Sequence, residues 1–472
     1  DQHTARRACT APNLRSSIAA MLVASVRHLV SLCLIASVAA QSPEWIAKVD
    51  AAIAARLTKP DAVGFSVGVA QHGKVLLAKG YGLAEVEFAA PANETTAFRI
   101  GSVTKQFTAA LILRLVEQKK LSLDDGLEKF VPDFPLQGKK VTVRMLLNHS
   151  SGIPSYTDVG EAWQKATPLE LSHKELLAFV ADKPFDFEPG TDWRYNNTGY
   201  YLLGMVLEKV HGKSYAQIVL DEIATPLQLG RTRYDDNRDI IVNRAQGYSM
   251  EKGVRKNDAP LGMSQPGAAG ALLSTGEDLV KWSMALAGGK VVSAESYTQM
   301  TTPLVLSNGR DTGYGFGLMI GDLLGKRAIS HGGGINGFNS MLLHLPDVDL
   351  HVAVISNSER ADSDEVAETI VRAVLGIEKF VAKDLPLTAE VRDLCLGDFH
   401  MAELGVTFAV TKNGEKLRGQ AKAEGQGAFD LLWQGGLEFR ASFDHEVKLV
   451  FTADGKELTL HQGRGVYTGK RQ

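Results

Sequence analysis

Arg99-Ile100-Gly101-Ser102-Val103-Thr104-Lys105 is the stretch on which the reading of this chain turns. Ser102 and Lys105 stand three residues apart at the start of an apolar run, Phe107 to Val116. On a helix, positions i and i+3 share a face, so the lysine amine can reach the serine hydroxyl. A helix N-terminus also presents unpaired N–H groups and positive potential, which favour a developing oxyanion. These are the requirements of a serine nucleophile activated by a lysine. The same residues also fit an ordinary N-cap serine followed by a solvated lysine, so the rest of the chain has to decide.

Working outward, a helix is expected over residues 43 to 58, with Pro43 suited to its first turn. Val63 to Val69 and Val75 to Ala78 then read as a hairpin about His72-Gly73. The helix carrying Ser102 follows at about 102 to 118. A short helix, Thr142 to Asn148, is closed by His149-Ser150-Ser151-Gly152, with Gly152 as its stop. Glu188-Pro189-Gly190 is a turn, and Trp193-Arg194-Tyr195-Asn196-Asn197 is a loop before a helix from Thr198 to Val210. Polar side chains in such a loop can face a cleft. Beyond Gly270 come a helix, Gly276 to Ala287, and a strand beginning at Tyr314-Gly315-Phe316-Gly317-Leu318. A further strand ends at Ile329-Ser330-His331-Gly332-Gly333-Gly334. Strands at Ser340 to Leu345 and Leu350 to Ile355 and a helix from Asp364 to Leu375 close this part. The expectation is an antiparallel sheet flanked by helices, spanning residues 43–380. Lys383 to Leu387 reads as a linker. Residues 385–472 then hold six short strand-like segments and the turns Asn413-Gly414 and Asp454-Gly455, the pattern of a small all-β sandwich or barrel.

Composition limits the function classes. With 472 residues the chain suits two or three domains, and 44% hydrophobic and 22% charged residues are ordinary for a soluble protein. The net charge of −3 and the lack of a dense Lys/Arg tract argue against a nucleic-acid partner. Met21, Arg27, His28, the apolar run Leu29 to Ala40 and the small residues Val38-Ala39-Ala40 have the order of a secretory signal peptide over 21–40, with 1–20 as an upstream segment. The run is short for a membrane span, so no stable span is expected in the mature chain. The leader region holds four Arg and one acid; 51 basic residues less four and 54 acidic residues less one leave 47 and 53, a net of −6. Of three cysteines only Cys395 lies outside it, so no internal disulfide is available, and its apolar setting predicts a buried, inert thiol.

Ser102-x-x-Lys105, Tyr195-x-Asn197 and His331-Gly332-Gly333 occur in that order. Alone, Tyr195 reads as a core tyrosine, Asn197 as the N-cap of the next helix and His331 as a turn residue. Taken together they resemble the three motifs of the penicillin-recognising serine hydrolases, in the branch of the class C β-lactamases and D-Ala-D-Ala carboxypeptidases. Leu146-Leu147-Asn148-His149-Ser150-Ser151-Gly152, Glu188-Pro189-Gly190 and Gly270 through Ser274 add local matches. The likeness covers residues 45 to 378, and the β-domain resembles lipocalin-like modules attached to some relatives.

The resemblance implies an α/β (α+β) fold of the β-lactamase/transpeptidase type, with the site between sheet and helical subdomain. It implies Ser102 as nucleophile, Lys105 as the base or as the group that sets the base's ionisation, and Tyr195 as proton shuttle. Asn197, His331, Gly332, Gly333 and Gly334 become substrate-binding residues, Asn197 bonding either the substrate amide or Lys105, and the N–H groups of Ser102 and Gly334 forming the oxyanion site. A neighbouring cation and partial burial should lower the Lys105 pKa, and a Lys105 cation should ease ionisation of Tyr195. His149 is expected to be structural, and His72, His211 and His351 carry no case for a role. No His pair has metal spacing with a carboxylate partner, so neither a metal nor another cofactor is inferred.

Two departures from the pattern bear on substrate. Lactamases of this family commonly have Lys where His331 stands. Histidine, with an ordinary pKa of ~6.5, is mostly neutral at pH 7, attracts a substrate carboxylate less and can still donate a hydrogen bond. Asn196 occupies a position where small residues are usual, and it either points away or narrows the pocket. The expected activity is therefore acyl transfer on a peptide, amide or ester rather than efficient lactam hydrolysis. The alternatives are a true β-lactamase and a non-catalytic penicillin or peptidoglycan binder. The expected location is secreted or periplasmic.

Overall fold

The computed structural model describes residues 43–472 except 403, 424, 425, 463 and 464. The expected leader, the upstream segment, Cys9 and Cys33 lie outside the described residues.

A seven-stranded sheet carries the fold. Its strands are β1 (Gly64–Gln71), β2 (Lys74–Glu85), β3 (Ala90–Pro91), β4 (Met319–Leu323), β5 (Lys326–Ile335), β6 (Phe338–Leu345) and β7 (Leu350–Ser356). The order is β3-β2-β1-β7-β6-β5-β4, with antiparallel neighbours throughout. Five helices matter for the site: α1 (Glu44–Leu57), α2 (Thr104–Glu117), α3 (Asn197–His211), α4 (Gly276–Ala287) and α5 (Ser363–Leu375).

The period of two along the strands explains why their runs are apolar. Phe65, Val67 and Val69 of β1 join Val352 and Val354 of β7 on one face, covered by Val49 and Ile53 of α1 and Val366 and Ile370 of α5. Ala70, Ala353 and Ile355 belong to the cluster on the other face, with Leu279, Val280 and Trp282 of α4. The N-terminus of α4 docks at Gly68, where a Cβ would fall on the Gly276 carbonyl, and Ser66 Oγ accepts from the Gly276 N–H at 2.9 Å.

That second cluster continues into the helical part, where α2 and α3 cross. Every residue of α2 from Thr104 to Leu113 is buried. Phe107 stacks on Trp282 with centroids 4.0 Å apart and 14° between planes. Each fully buried Leu or Phe contributes about 1.5–3 kcal/mol, so packing rather than propensity holds α2.

Beyond α5 lies an eight-stranded closed barrel, β8 (Gly397–Met401), β9 (Val406–Asn413), β10 (Lys416–Ala421), β11 (Phe429–Gly435), β12 (Glu438–Ala441), β13 (Lys448–Phe451), β14 (Glu457–Gln462) and β15 (Gly465–Arg471). Alternation in the sequence picks out six of these strands. The first and last escape it, and their pairing, Phe399 opposite Arg471, closes the barrel. Phe399, Phe408, Leu417, Phe439, Leu449 and Leu458 fill the interior, a packed core rather than a channel. Cys395 is a buried free thiol whose pKa burial pushes up to about 12, as its apolar setting led one to expect.

Residues 383–387 have no regular structure, but they do not hang free. Leu385 N–H donates to the Trp433 carbonyl at 3.1 Å, and Ala382 N–H donates to His445 Nδ1 at 3.1 Å. From α5, the Arg372 side chain is 8% exposed and meets Glu446 at 3.2 Å. Among the described residues no helix is long and apolar enough to cross a membrane.

Candidate active site

The Ser102 position is set by close approach. Phe98–Arg99 pairs with Leu272–Ser274 in a small three-stranded sheet, and the Ile100 N–H donates to the Leu272 carbonyl at 3.0 Å. Gly101 follows at φ +49°, where a Cβ would lie 3.0 Å from the Gly334 carbonyl oxygen. Glycine therefore serves both the left-handed backbone and the contact. Ser102 then sits in a 3-10 turn, Gly101–Val103, that runs directly into α2.

Lys105, one turn on, is fully buried. Its Nζ lies 3.0 Å from Ser102 Oγ, 2.8 Å from Asn197 Oδ1 and 2.9 Å from the Ala269 carbonyl oxygen. Burial alone drives the amine pKa well below the ordinary lysine value. The neighbouring cation expected from the sequence has no part in this shift.

The second motif lies at the start of α3. Asn196, not Asn197, is the N-cap, its Oδ1 accepting from the Gly199 N–H at 2.6 Å. Asn196 is buried, its Nδ2 donating to the Ile153 carbonyl and its Oδ1 capping the helix. This frees Asn197 to face Lys105, while Asn197 Nδ2 donates to Thr157 Oγ1 at 3.2 Å.

Tyr195 presents its ring face to Lys105 Nζ, 4.8 Å from the centroid. Its hydroxyl is buried, with no hydrogen-bond partner at bonding geometry. Burial raises its pKa, against a smaller lowering by the Ser102 hydroxyl. The expectation that Lys105 would ease ionisation of this phenol is not met: burial dominates, and Lys105 takes no part in the shift.

His331 is neutral, as expected, but for another reason and with another set of contacts. It is 1% exposed, and burial together with nearby Lys105 pushes its pKa down to about 3. Nδ1 donates to the Gly332 carbonyl at 2.6 Å, and Nε2 accepts from the Tyr314 hydroxyl at 2.9 Å. Both ring nitrogens are spent inside the protein, so the hydrogen bond expected to a substrate has no free donor here. Gly333 is held against the Ser102 turn: a Cβ there would fall on the Ile100 carbonyl, to which Ser340 Oγ donates at 2.9 Å. A Cβ on Gly334 would meet nothing within 4 Å. β4 pairs with β5 only from Lys326 to Ser330, so among the described residues the edge of β5 from His331 to Gly334 has no strand partner.

Behind Tyr195 is an aromatic box that the sequence did not reveal. The His149 ring packs at 4.5 Å from Tyr195, 4.6 Å from Tyr314 and 5.2 Å from Tyr200. Its Nδ1 accepts from the Asn196 N–H at 3.1 Å, which places the proton on Nε2, a buried atom without a partner among the described residues. His149, at φ +62°, also takes the left-handed conformation just after the helix Val143–Leu147, ahead of the expected stop at Gly152. The strand expected from Tyr314 starts later, with β4 at Met319. Gly315 and Gly317 press this segment onto the carbonyls of Met300 and Lys105, where no side chain fits, and so hold it as a loop. That pair of glycines was the available signal for Tyr314.

Elsewhere, a cavity of about 1300 Å³ is lined by Tyr201, Tyr215, Tyr234, Met205 and Ala268. Ser102, Lys105 and Tyr195 are not among its lining residues, so its size says nothing of the cleft over the serine.

Known proteins bear on this geometry. The family model described as Beta-lactamase matches residues 49–376. The chain is 29% identical over 323 residues to Penicillin-binding protein 4* of Bacillus subtilis (strain 168), covering 65% of this chain and 70% of that protein. It is 28% identical over 343 residues to a D-aminopeptidase of Gluconobacter oxydans (strain 621H), covering 71% of this chain and 63% of the relative, under two thirds of that relative's length. Among solved structures, the octameric penicillin-binding protein homologue from Pyrococcus abyssi superposes with a TM-score of 0.63 at 27% identity, over 90% of this chain and all 100% of that one.

Proposed function

The chain belongs to the Beta-lactamase family, and from that premise we propose an exported serine hydrolase that forms an acyl-enzyme on Ser102. Its substrate is a small peptide, amide or ester, of the D-Ala-D-Ala carboxypeptidase, D-aminopeptidase or esterase type. One observation carries the reading: the fully buried Lys105 amine in contact with Ser102 Oγ. A neutral amine has two N–H bonds and one lone pair. Asn197 Oδ1 and the Ala269 carbonyl take the two N–H bonds, and the lone pair is left for the Ser102 O–H.

In the proposed sequence Ser102 Oγ attacks the carbonyl carbon as its proton passes to Lys105 Nζ. The N–H groups of Ser102 and Gly334 receive the oxyanion; one such donor is worth about 3 kcal/mol in the transition state. The leaving nitrogen or oxygen takes the Tyr195 proton, which Tyr195 recovers from the Lys105 ammonium. Burial of the phenol favours this relay over a standing phenolate. Water then cleaves the acyl ester by the reverse roles. The unpaired edge of β5 suits an extended acyl group lying as an added strand.

The relatives named penicillin-binding protein and D-aminopeptidase support the D-amino-acyl class. The buried, uncharged His331 supports amides and esters over lactams that carry a carboxylate. Export rests on the leader-like residues 21–40. The barrel supplies none of the site residues named above, and an accessory role limiting substrate size fits its position after α5. The test is hydrolysis of D- and L-amino-acyl amides, p-nitrophenyl esters and a chromogenic cephalosporin by wild type and Ser102→Ala. Turnover of the amides or esters lost in Ser102→Ala supports the reading. Steady lactam turnover points to a β-lactamase, and no turnover of any member points to a binding protein.

A further inference from the structure

The turn between β6 and β7 gathers a group of side chains that the catalytic reading leaves unused. His344 of β6 and His351 of β7 are cross-strand partners. Their rings stack with centroids 4.1 Å apart and 5° between planes. Asp349, in the turn at φ +47°, sets Oδ1 3.3 Å from His351 Nε2. One ligand atom from each of these three residues lies within 4.8 Å of the others. His72, on the turn between β1 and β2, brings Nδ1 to 3.7 Å from Asp349 Oδ2. It arrives there because β1 pairs with β7 as far as Gln71 opposite Leu350.

The ring nitrogens that face away from this group are already anchored. His351 Nδ1 lies 2.7 Å from Ser283 Oγ, and His344 Nδ1 lies 3.3 Å from the Tyr297 hydroxyl. Metal-bound imidazoles are held in this way, one nitrogen on the ion and the other on an outer hydrogen-bonding group that sets ring orientation. Two imidazoles and one carboxylate are a donor set for a borderline-soft, four-coordinate ion.

We propose that His344, Asp349 and His351 bind a zinc ion, with His72 as the fourth ligand. Zinc bonds of about 2.0–2.2 Å place neighbouring donors roughly 3–3.5 Å apart, so the group has to contract on binding. The groups that must move are the free ones: the His72 side chain is 74% exposed and that of Asp349 49%, while the two stacked rings are buried in place. Arg327 also bears on His344, and its guanidinium is held by the Thr301 carbonyl at 2.9 Å. That charge weakens the site relative to one without it. On the other end of β6, Asn339 pairs with Gly334, five residues or roughly 17 Å from His344 at strand rise. The ion is therefore a staple between the turn His72–Gly73 and the turn before β7, and takes no part in acyl transfer.

The sequence reading misses this group because its ligands are not on a helix or a short spacer. His344, Asp349 and His351 converge only through the hairpin register, and His72 only through the pairing of β1 with β7. The test uses the full chain, stripped of metal with a chelator and titrated with zinc chloride by calorimetry, beside melting curves with and without zinc. Wild type should bind one zinc per chain and melt at a higher temperature with zinc, because binding to the native state alone stabilises it. Asp349→Asn keeps a residue that tolerates the left-handed turn, and it and His72→Ala should each weaken zinc binding by about tenfold or more. Ester hydrolysis by these two variants should match wild type, which shows the fold intact. Absence of a zinc-dependent rise in melting temperature, or equal affinity in Asp349→Asn, would overturn the site. Equal affinity in His72→Ala would overturn the four-ligand form of it.

Discussion

Lys105 is held among acceptors and a hydroxyl, and its ionisation has consequences for both rate and stability. Catalysis needs the neutral amine, so kcat/KM should rise with pH through a value well below the ordinary lysine pKa of ~10.4 and be flat above it. A p-nitrophenyl ester assayed across pH reads this, and a limb centred on the ordinary lysine value would count against it. Lys105→Met should lower kcat/KM by about 10²–10⁴-fold, the usual contribution of a positioned base. For His331 the stability sign is set by its depressed pKa. Between about 3 in the folded chain and about 6.5 unfolded, the unfolded state binds the extra proton. The stability contribution is thus fully kept above about 6.5 and lost as pH falls toward 3. Urea unfolding at neutral and acid pH should show a smaller acid loss in His331→Gln than in wild type; equal losses would refute this. At this scale the sequence carried the Ser102–Lys105 pair, because i and i+3 adjacency needs no tertiary information. It misled on the environment of His331, since Tyr314 reaches that ring over a loop pressed flat by Gly315 and Gly317.

At the scale of elements, the site depends on β5 lying directly against the turn before α2. Gly333→Ala would place a methyl on the Ile100 carbonyl, so strand and turn must part. The expected result is a large loss of kcat/KM with a lower melting temperature. Gly332→Ala is the control, because its Cβ meets Met341 Cε at an ordinary 3.7 Å. Similar activity in the two variants would contradict this packing argument. At the start of α3, Asn196→Ala removes the N-cap and should cost about 0.5–2 kcal/mol in stability, measurable by denaturant unfolding. The helix itself was legible from its apolar spacing between Thr198 and Val210. Which of two adjacent asparagines caps it was not, since both suit the position and only the fold sends Asn197 toward Lys105.

Across the whole molecule, antiparallel sheet, helical region and barrel were all foreshadowed by period-two runs, apolar helical spacing and Asn-Gly or Asp-Gly turns. The barrel closes through β8 and β15, the two strands that alternation does not pick out. The barrel is tied to α5 through Arg372 and Glu446. Removing residues 385–472 should leave hydrolysis of a small ester intact and widen the range of acyl groups accepted, read from a substrate panel; an unchanged range would argue against the accessory role. All of this rests on the claim that Ser102 carries the acyl group. Intact-protein and peptide mass spectrometry after brief exposure to an activated acyl ester tests it most directly. The account predicts one acyl adduct, on the peptide containing Ser102, in wild type and none in Ser102→Ala. An adduct on another residue, or hydrolysis that persists unchanged in Ser102→Ala, would contradict it.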